Sequence, residues 1–154
     1  MGGFLPSPLP PGLPSLVIVA GGGRDLAWPL QQVAAALIAR TRTTPVLQLL
    51  HGAARGADQL IAQAALQLGW PVAAIAADWH RHGRSAGPIR NRLLLDQALA
   101  LAHAHHTAAH QGPAQPAAVL VLAFPGGVGT ASLVALARRR SATAPVPLVV
   151  QELA

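Results

Sequence analysis

At 154 residues, with 52% hydrophobic and 10% charged side chains, the chain has apolar material for one sizeable core and no room for a second domain. The absence of cysteine excludes disulfides, thiolate catalysis and cysteine-ligated metal and fits a reducing cytoplasm, and no unbroken apolar run reaches the roughly 20 residues of a membrane span. The formal charge of +6 is carried by arginine alone, and Arg24, Arg55, Arg81, Arg84, Arg90 and Arg92 gather in or just after predicted strand-to-helix loops, where a planar guanidinium suits phosphate.

Residues 1–15 hold five prolines and three glycines but no charge, so they lack a signal-peptide pattern and read as a flexible Pro-rich tail ahead of one domain, 16–154. The first predicted strand is LVIVA, Leu16 to Ala20, followed by Gly21-Gly22-Gly23-Arg24-Asp25. Three glycines between a strand and a helix make an anion-ready loop. Arg24 can reach a phosphate there and Asp25 a sugar hydroxyl; a surface Arg24-Asp25 pair is the plainer alternative. The helix that follows is expected to start near Trp28-Pro29 and to run to about Arg40.

A second strand, Val46 to Leu50, runs into His51-Gly52-Ala53-Ala54-Arg55-Gly56-Ala57-Asp58 and a helix from about Gln59 to Leu68. His51 at a strand end reads as a hydrogen-bonded structural histidine and Asp58 as a helix cap. Gly52 and Gly56 around Arg55 exceed what capping needs.

After a third strand, Val72 to Ala76, residues 78–92 form the most polar stretch, expected to be a long loop serving as a lid or side wall. Trp79 there offers a stacking face for a base and Asp78 a partner for a ribose hydroxyl; a buried anchoring Trp is the alternative. Arg90 and Asn91 fall on the first turn of the next helix, Ile89 to about Ala102. His103, His105, His106 and His110 then read as a solvated, partly disordered extension rather than a metal site, since no carboxylate lies beside them.

The last strands are Ala117 to Ala123 and Val146 to Val150. Between them stands FPGGVGTAS, Phe124 to Ser132. A strand, a glycine turn and a helix start make a phosphate cradle: Pro125, Gly126, Gly127 and Gly129 leave backbone amides accessible, Thr130 adds a hydroxyl, and the helix dipole favours an anion. Arg138-Arg139-Arg140 at that helix's end are explained by the dipole at its C-terminus.

Strands and helices alternating five times predict an α/β fold, a Rossmann-like three-layer αβα sandwich with a parallel five-stranded sheet in the order 3-2-1-4-5. That order brings GGGRD and PGGVGT face to face at the switch point, with Arg24, Arg55 and Arg90 close by.

GGGRD, HGAARGAD, ADWHRHGRSAGPIRN and AFPGGVGT, in that order, resemble the YspA-like branch of the SLOG superfamily, a Rossmann-like group related to the Lonely Guy (LOG) phosphoribohydrolases, called lysine decarboxylase-like in older usage, and to DNA-processing protein A. The resemblance implies a nucleotide or nucleotide-derived phosphorylated ligand, no required cofactor and no metal. Relatives are often homodimers, and the resemblance carries that expectation too. Arg90-Asn91 matches the LOG Arg-Lys pair, which implies a phosphate or catalytic role for Arg90. The LOG glutamate is Leu133 here, so Asp78 and Asp25 become the carboxylates to replace it. Binding is therefore the first expectation, with hydrolysis of the N-glycosidic bond of a nucleoside monophosphate as the alternative. DNA binding is the weakest, since 3% aromatic content leaves few stacking platforms.

Overall fold

Short β-branched and aliphatic runs form five strands: β1 (Leu16–Gly21), β2 (Val46–His51), β3 (Val72–Ala74), β4 (Ala118–Ala123) and β5 (Leu148–Glu152). Five helices separate or follow them: α1 (Leu30–Thr41), α2 (Ala57–Gln67), α3 (Trp79–His82), α4 (Ala86–Ala108) and α5 (Val128–Ser141). This is a computed structural model that describes Leu9 and residues 15–108 and 117–154. All pairings are parallel, and the order is β3-β2-β1-β4-β5, the order expected from right-handed crossovers.

The two central strands pair without interruption from Leu16 opposite Ala118 to Gly21 opposite Ala123. Their sequences read as continuous hydrophobic runs because helices cover both faces of the sheet. Alternation still divides them. Leu16, Ile18, Leu120 and Leu122 pack with Val33 and Leu37 of α1 and Ile61 of α2. Val17, Val19, Val119 and Val121 face Leu94, Leu95 and Ala98 of α4 and Leu133 of α5. Each fully buried Val or Leu of this kind contributes roughly 1.5–3 kcal/mol relative to exposure, so the middle of the sheet is the rigid platform on which the loops rest.

Residues 78–88 depart from the expected loop, whereas the helix expected from Ile89 is present within a longer one. The Asp78 carboxylate accepts the Arg81 N–H at 3.0 Å, which starts α3, and Gly83, at φ 54°, ends it. A 3₁₀ turn, Gly83–Ser85, leads directly into α4. Pro88 does not obstruct that helix because it stands in the first turn, where an N–H has no intrahelical acceptor. The polar stretch is therefore a helical wall. α4 also runs on to Ala108, so His103, His105 and His106 are helical rather than part of a partly disordered extension. Alanine and leucine favour helix, and no Gly or Pro interrupts before Gly112. His110, and the Pro-rich tail apart from Leu9 and Ser15, lie outside the described residues. Among the described residues no helix is long and apolar enough to cross a membrane.

Candidate functional site

The chain leaves β1, β2 and β4 at one edge of the sheet, and three loops meet there. Gly23 joins them: its N–H donates to the Pro125 carbonyl at 2.9 Å, and its own carbonyl accepts from the Ala57 N–H at 3.0 Å. Gly22 has no room for a side chain, because a Cβ would lie 2.7 Å from Cβ of Ala57 and 2.9 Å from Cβ of Phe124. The two glycine loops therefore touch at the switch point between β1 and β4, where open α/β sheets hold their ligands. The Gly23 amide is engaged in that contact, so it is one bare donor fewer than the sequence suggests.

Between the loops opens a cleft of about 780 Å³, within the range of roughly 300–1,000 Å³ for small-molecule sites. Gly22, Gly23, Arg24 and Asp25 line it from the β1 loop, and Gly52 and Arg55 from the β2 loop. Trp79, Arg90 and Asn91 form the helical wall, and Gly127, Gly129 and Thr130 the start of α5. Pro125 and Gly126 face an adjoining groove of about 370 Å³ instead. Asp78 borders neither space, since its carboxylate is occupied in capping α3.

α5 begins with no side-chain cap and no acidic residue in its first turn. Its first amides lack intrahelical partners and carry the positive end of the dipole, so the cleft floor attracts an anion. Arg90 reinforces this. Its Nη1 donates to the Gly52 carbonyl at 2.7 Å and its Nε to Oδ1 of Asn91 at 3.0 Å, while Nη2 has no hydrogen bond among the described residues. Buried Asn91 in turn donates Nδ2 to the Gly129 carbonyl at 3.2 Å, fastening the helical wall to the α5 loop.

Among the ionisable residues that line the cleft, sequence reasoning missed one. Asp58 is 4% exposed and borders the cleft. The N-cap of α2 is Gly56, and Asp58 instead accepts the Ala54 N–H at 3.0 Å from within the first turn. Burial pushes its carboxyl up, against the lowering effect of the Ala54 and Gly52 amides and of His51 and Arg90. His51 is held from the same side. Its Nδ1 accepts the Ala53 N–H at 3.0 Å, and burial pushes its pKa down, partly offset by Asp58. Gly21 separates Asp58 from Leu133: the place of a Cβ there lies 3.4 Å from Cδ2 of Leu133 and 4.0 Å from Oδ1 of Asp58. An acid one residue past a glycine and Ala57 in a loop-to-helix junction was the available signal.

Residues 16–82 match the model of the YspA, cpYpsA-related SLOG family. Over those residues the chain is similar to the YspA-like SLOG group. Neither a curated protein nor a solved structure matches it. The SLOG match runs from β1 through α3, so it takes in the GGGRD loop and the turn carrying Arg55 and Asp58. Arg90, Asn91 and the α5 loop lie beyond it and join the site through the sheet order. Among the described residues no three His, Cys, Asp or Glu side chains gather as metal ligands.

Proposed function

We propose that the cleft binds a nucleotide or nucleotide-derived phosphorylated ligand, as a SLOG-type binding or sensing domain in the cytoplasm. One observation carries this reading: two glycine loops in contact at the switch point, with the uncapped start of α5 and Arg24, Arg55 and Arg90 around a single cleft. The phosphate lies over Gly127, Gly129 and Thr130, and Arg90 presents its unengaged Nη2 to it. Trp79, 56% exposed at the rim, supplies a face for a base.

The test is a thermal-shift panel of nucleotides and sugar phosphates, with Gly127→Val as the comparison. A Cβ at Gly127 meets nothing within 4 Å, so valine adds bulk to the lining without a clash of its Cβ. Stabilisation of the wild type that is lost in the variant is the expected result. No shift with any compound counts against binding.

Asp58 supports a second reading, hydrolysis of the N-glycosidic bond of a nucleoside monophosphate. A buried carboxyl raised by its surroundings, bordering the cleft beside Arg90, has the character of a general base and suits that role better than exposed Asp25 or the capping Asp78. Release of free base from AMP, lost in Asp58→Asn, is the measurement; absence of release leaves binding alone.

A further inference from the structure

Asp58 lines the cleft as a buried acid without a counter-ion. It is 4% exposed, and among the described residues no arginine or histidine stands within ion-pair distance of it. Its partners are main-chain amides: Oδ2 accepts the Ala54 N–H at 3.0 Å, and the Gly52 amide adds a second hydrogen bond. A carboxylate accepts about four such bonds. Capacity is therefore left over on a group that has almost no contact with water.

Asp58 meets the cleft beside Gly21. The place of a Cβ on Gly21 lies 4.0 Å from Oδ1 of Asp58 and 3.4 Å from Cδ2 of Leu133, so the missing side chain leaves only bare backbone between the acid and α5. Leu133 stands one helical turn, about 5.4 Å, beyond the anion-attracting first turn at Gly129 and Thr130. The acid and the start of α5 thus border one cleft at a separation that a single phosphorylated pentose spans.

Burial decides what Asp58 asks of a ligand. At exposed Asp25, water replaces any hydroxyl the ligand lacks, so little is gained or lost there. A ligand that covers Asp58 seals it from the last of its water and has to supply the hydrogen bond itself. Charged or protonated, the carboxyl group pairs with a hydroxyl and finds nothing in a C–H. Apolar Leu133 opposite offers that hydroxyl no other partner. Taking the cleft as a nucleotide site, we infer that Asp58 reads the sugar and that the ligand is a ribo- rather than a deoxyribo-compound, held by its phosphate at the start of α5 and by a ribose hydroxyl on Asp58.

Calorimetric titration with AMP and its 2′-deoxy and 3′-deoxy analogues, in the wild type and in Asp58→Ala, tests this. Removal of one of the two hydroxyls is expected to weaken wild-type binding at least about tenfold, the scale of a hydrogen bond to a charged group. In Asp58→Ala that ratio falls to within about twofold. The wild-type comparison stands by itself if the alanine variant does not fold: equal affinity for all three compounds overturns the inference and leaves the nucleotide site standing. Discrimination that survives Asp58→Ala, or that Asp25→Ala abolishes, overturns it as well. Failure of all three compounds to bind overturns the inference and its premise together.

Discussion

Arg90 donates its Nε to Oδ1 of Asn91, its neighbour on α4, at 3.0 Å, and through that contact the β2 and α5 loops are held to one helix. Asn91 is the joint. Its amide satisfies Arg90 on one side and the Gly129 carbonyl on the other, and it is 3% exposed. Asn91→Ala removes the acceptor of the Arg90 Nε–H and the side-chain donor to the Gly129 carbonyl, two part-buried hydrogen bonds worth together about 1–3 kcal/mol. Urea denaturation should report that loss. Phosphate-ligand affinity should fall as well, although Asn91 need not touch the ligand, because Arg90 and Gly129 lose their fixed separation.

Gly56 and Gly69 separate two costs of a left-handed backbone. Both have positive φ, 76° and 78°, but a Cβ on Gly56 would run into the Arg24 carbonyl, whereas one on Gly69 meets nothing within 4 Å. Gly69→Ala should cost about 1–2 kcal/mol, the conformational penalty alone. Gly56→Ala adds a collision with main chain at the point where the β1 and β2 loops cross. Its loss should exceed that of Gly69→Ala, and thermal unfolding of the pair gives the difference. Equal losses would mean that the loops separate freely.

His51 and Asp58 give stability a pH dependence of opposing signs. The folded His51 pKa is lowered, so the unfolded chain takes up this proton first and acidification through the histidine range favours unfolding. Asp58 is raised, so the folded state takes up its proton first, and a further fall through the carboxylate range returns stability from this group. The limiting slope for one full proton is about 1.4 kcal/mol per pH unit. Denaturant midpoints between pH 7 and pH 5 should therefore decline with acid in the wild type. His51→Asn, whose side-chain oxygen can take the Ala53 N–H in place of Nδ1, should flatten that decline.

The sheet order was legible because continuous apolar strands, short crossovers and two glycine loops all demand the same topology. Arg24, Arg55, Arg90 and the α5 loop followed, since loops after parallel strands share an edge. The part of the wall before Ile89 was not legible as helix. Its polarity and its Gly and Pro suggested loop, and the deciding contact, Asp78 to the Arg81 amide, is local and short. That same contact withdraws Asp78 from the site it was expected to serve. Asp58 was hidden for the opposite reason: an acid in a first helical turn reads as a cap, and only the packing of Ala57 beneath Gly22 carries it into the cleft.

The basic cluster at the end of α5 provides the comparison for every arginine effect. Arg138 pairs with Glu152 at 2.7 Å, and Arg140 pairs with Asp96. Both pairs are solvent-accessible, and such pairs contribute about 0–1 kcal/mol each. Arg138 to Arg140 stand ten to twelve residues beyond Val128, so at 1.5 Å per residue they lie about 15–18 Å from the uncapped end that faces the cleft. That separation exceeds the Debye length of about 8 Å at physiological salt, so their field is screened at the cleft. Replacing Arg138, Arg139 and Arg140 together by alanine should leave nucleotide affinity within about twofold, whereas Arg90→Lys, which loses the planar fork spanning Gly52 and Asn91, should weaken it at least about tenfold. Calorimetry on the two variants decides it. An equal loss in both would mean that the anion is drawn by general surface charge, as in nucleic-acid binding, and not by the geometry of the cleft.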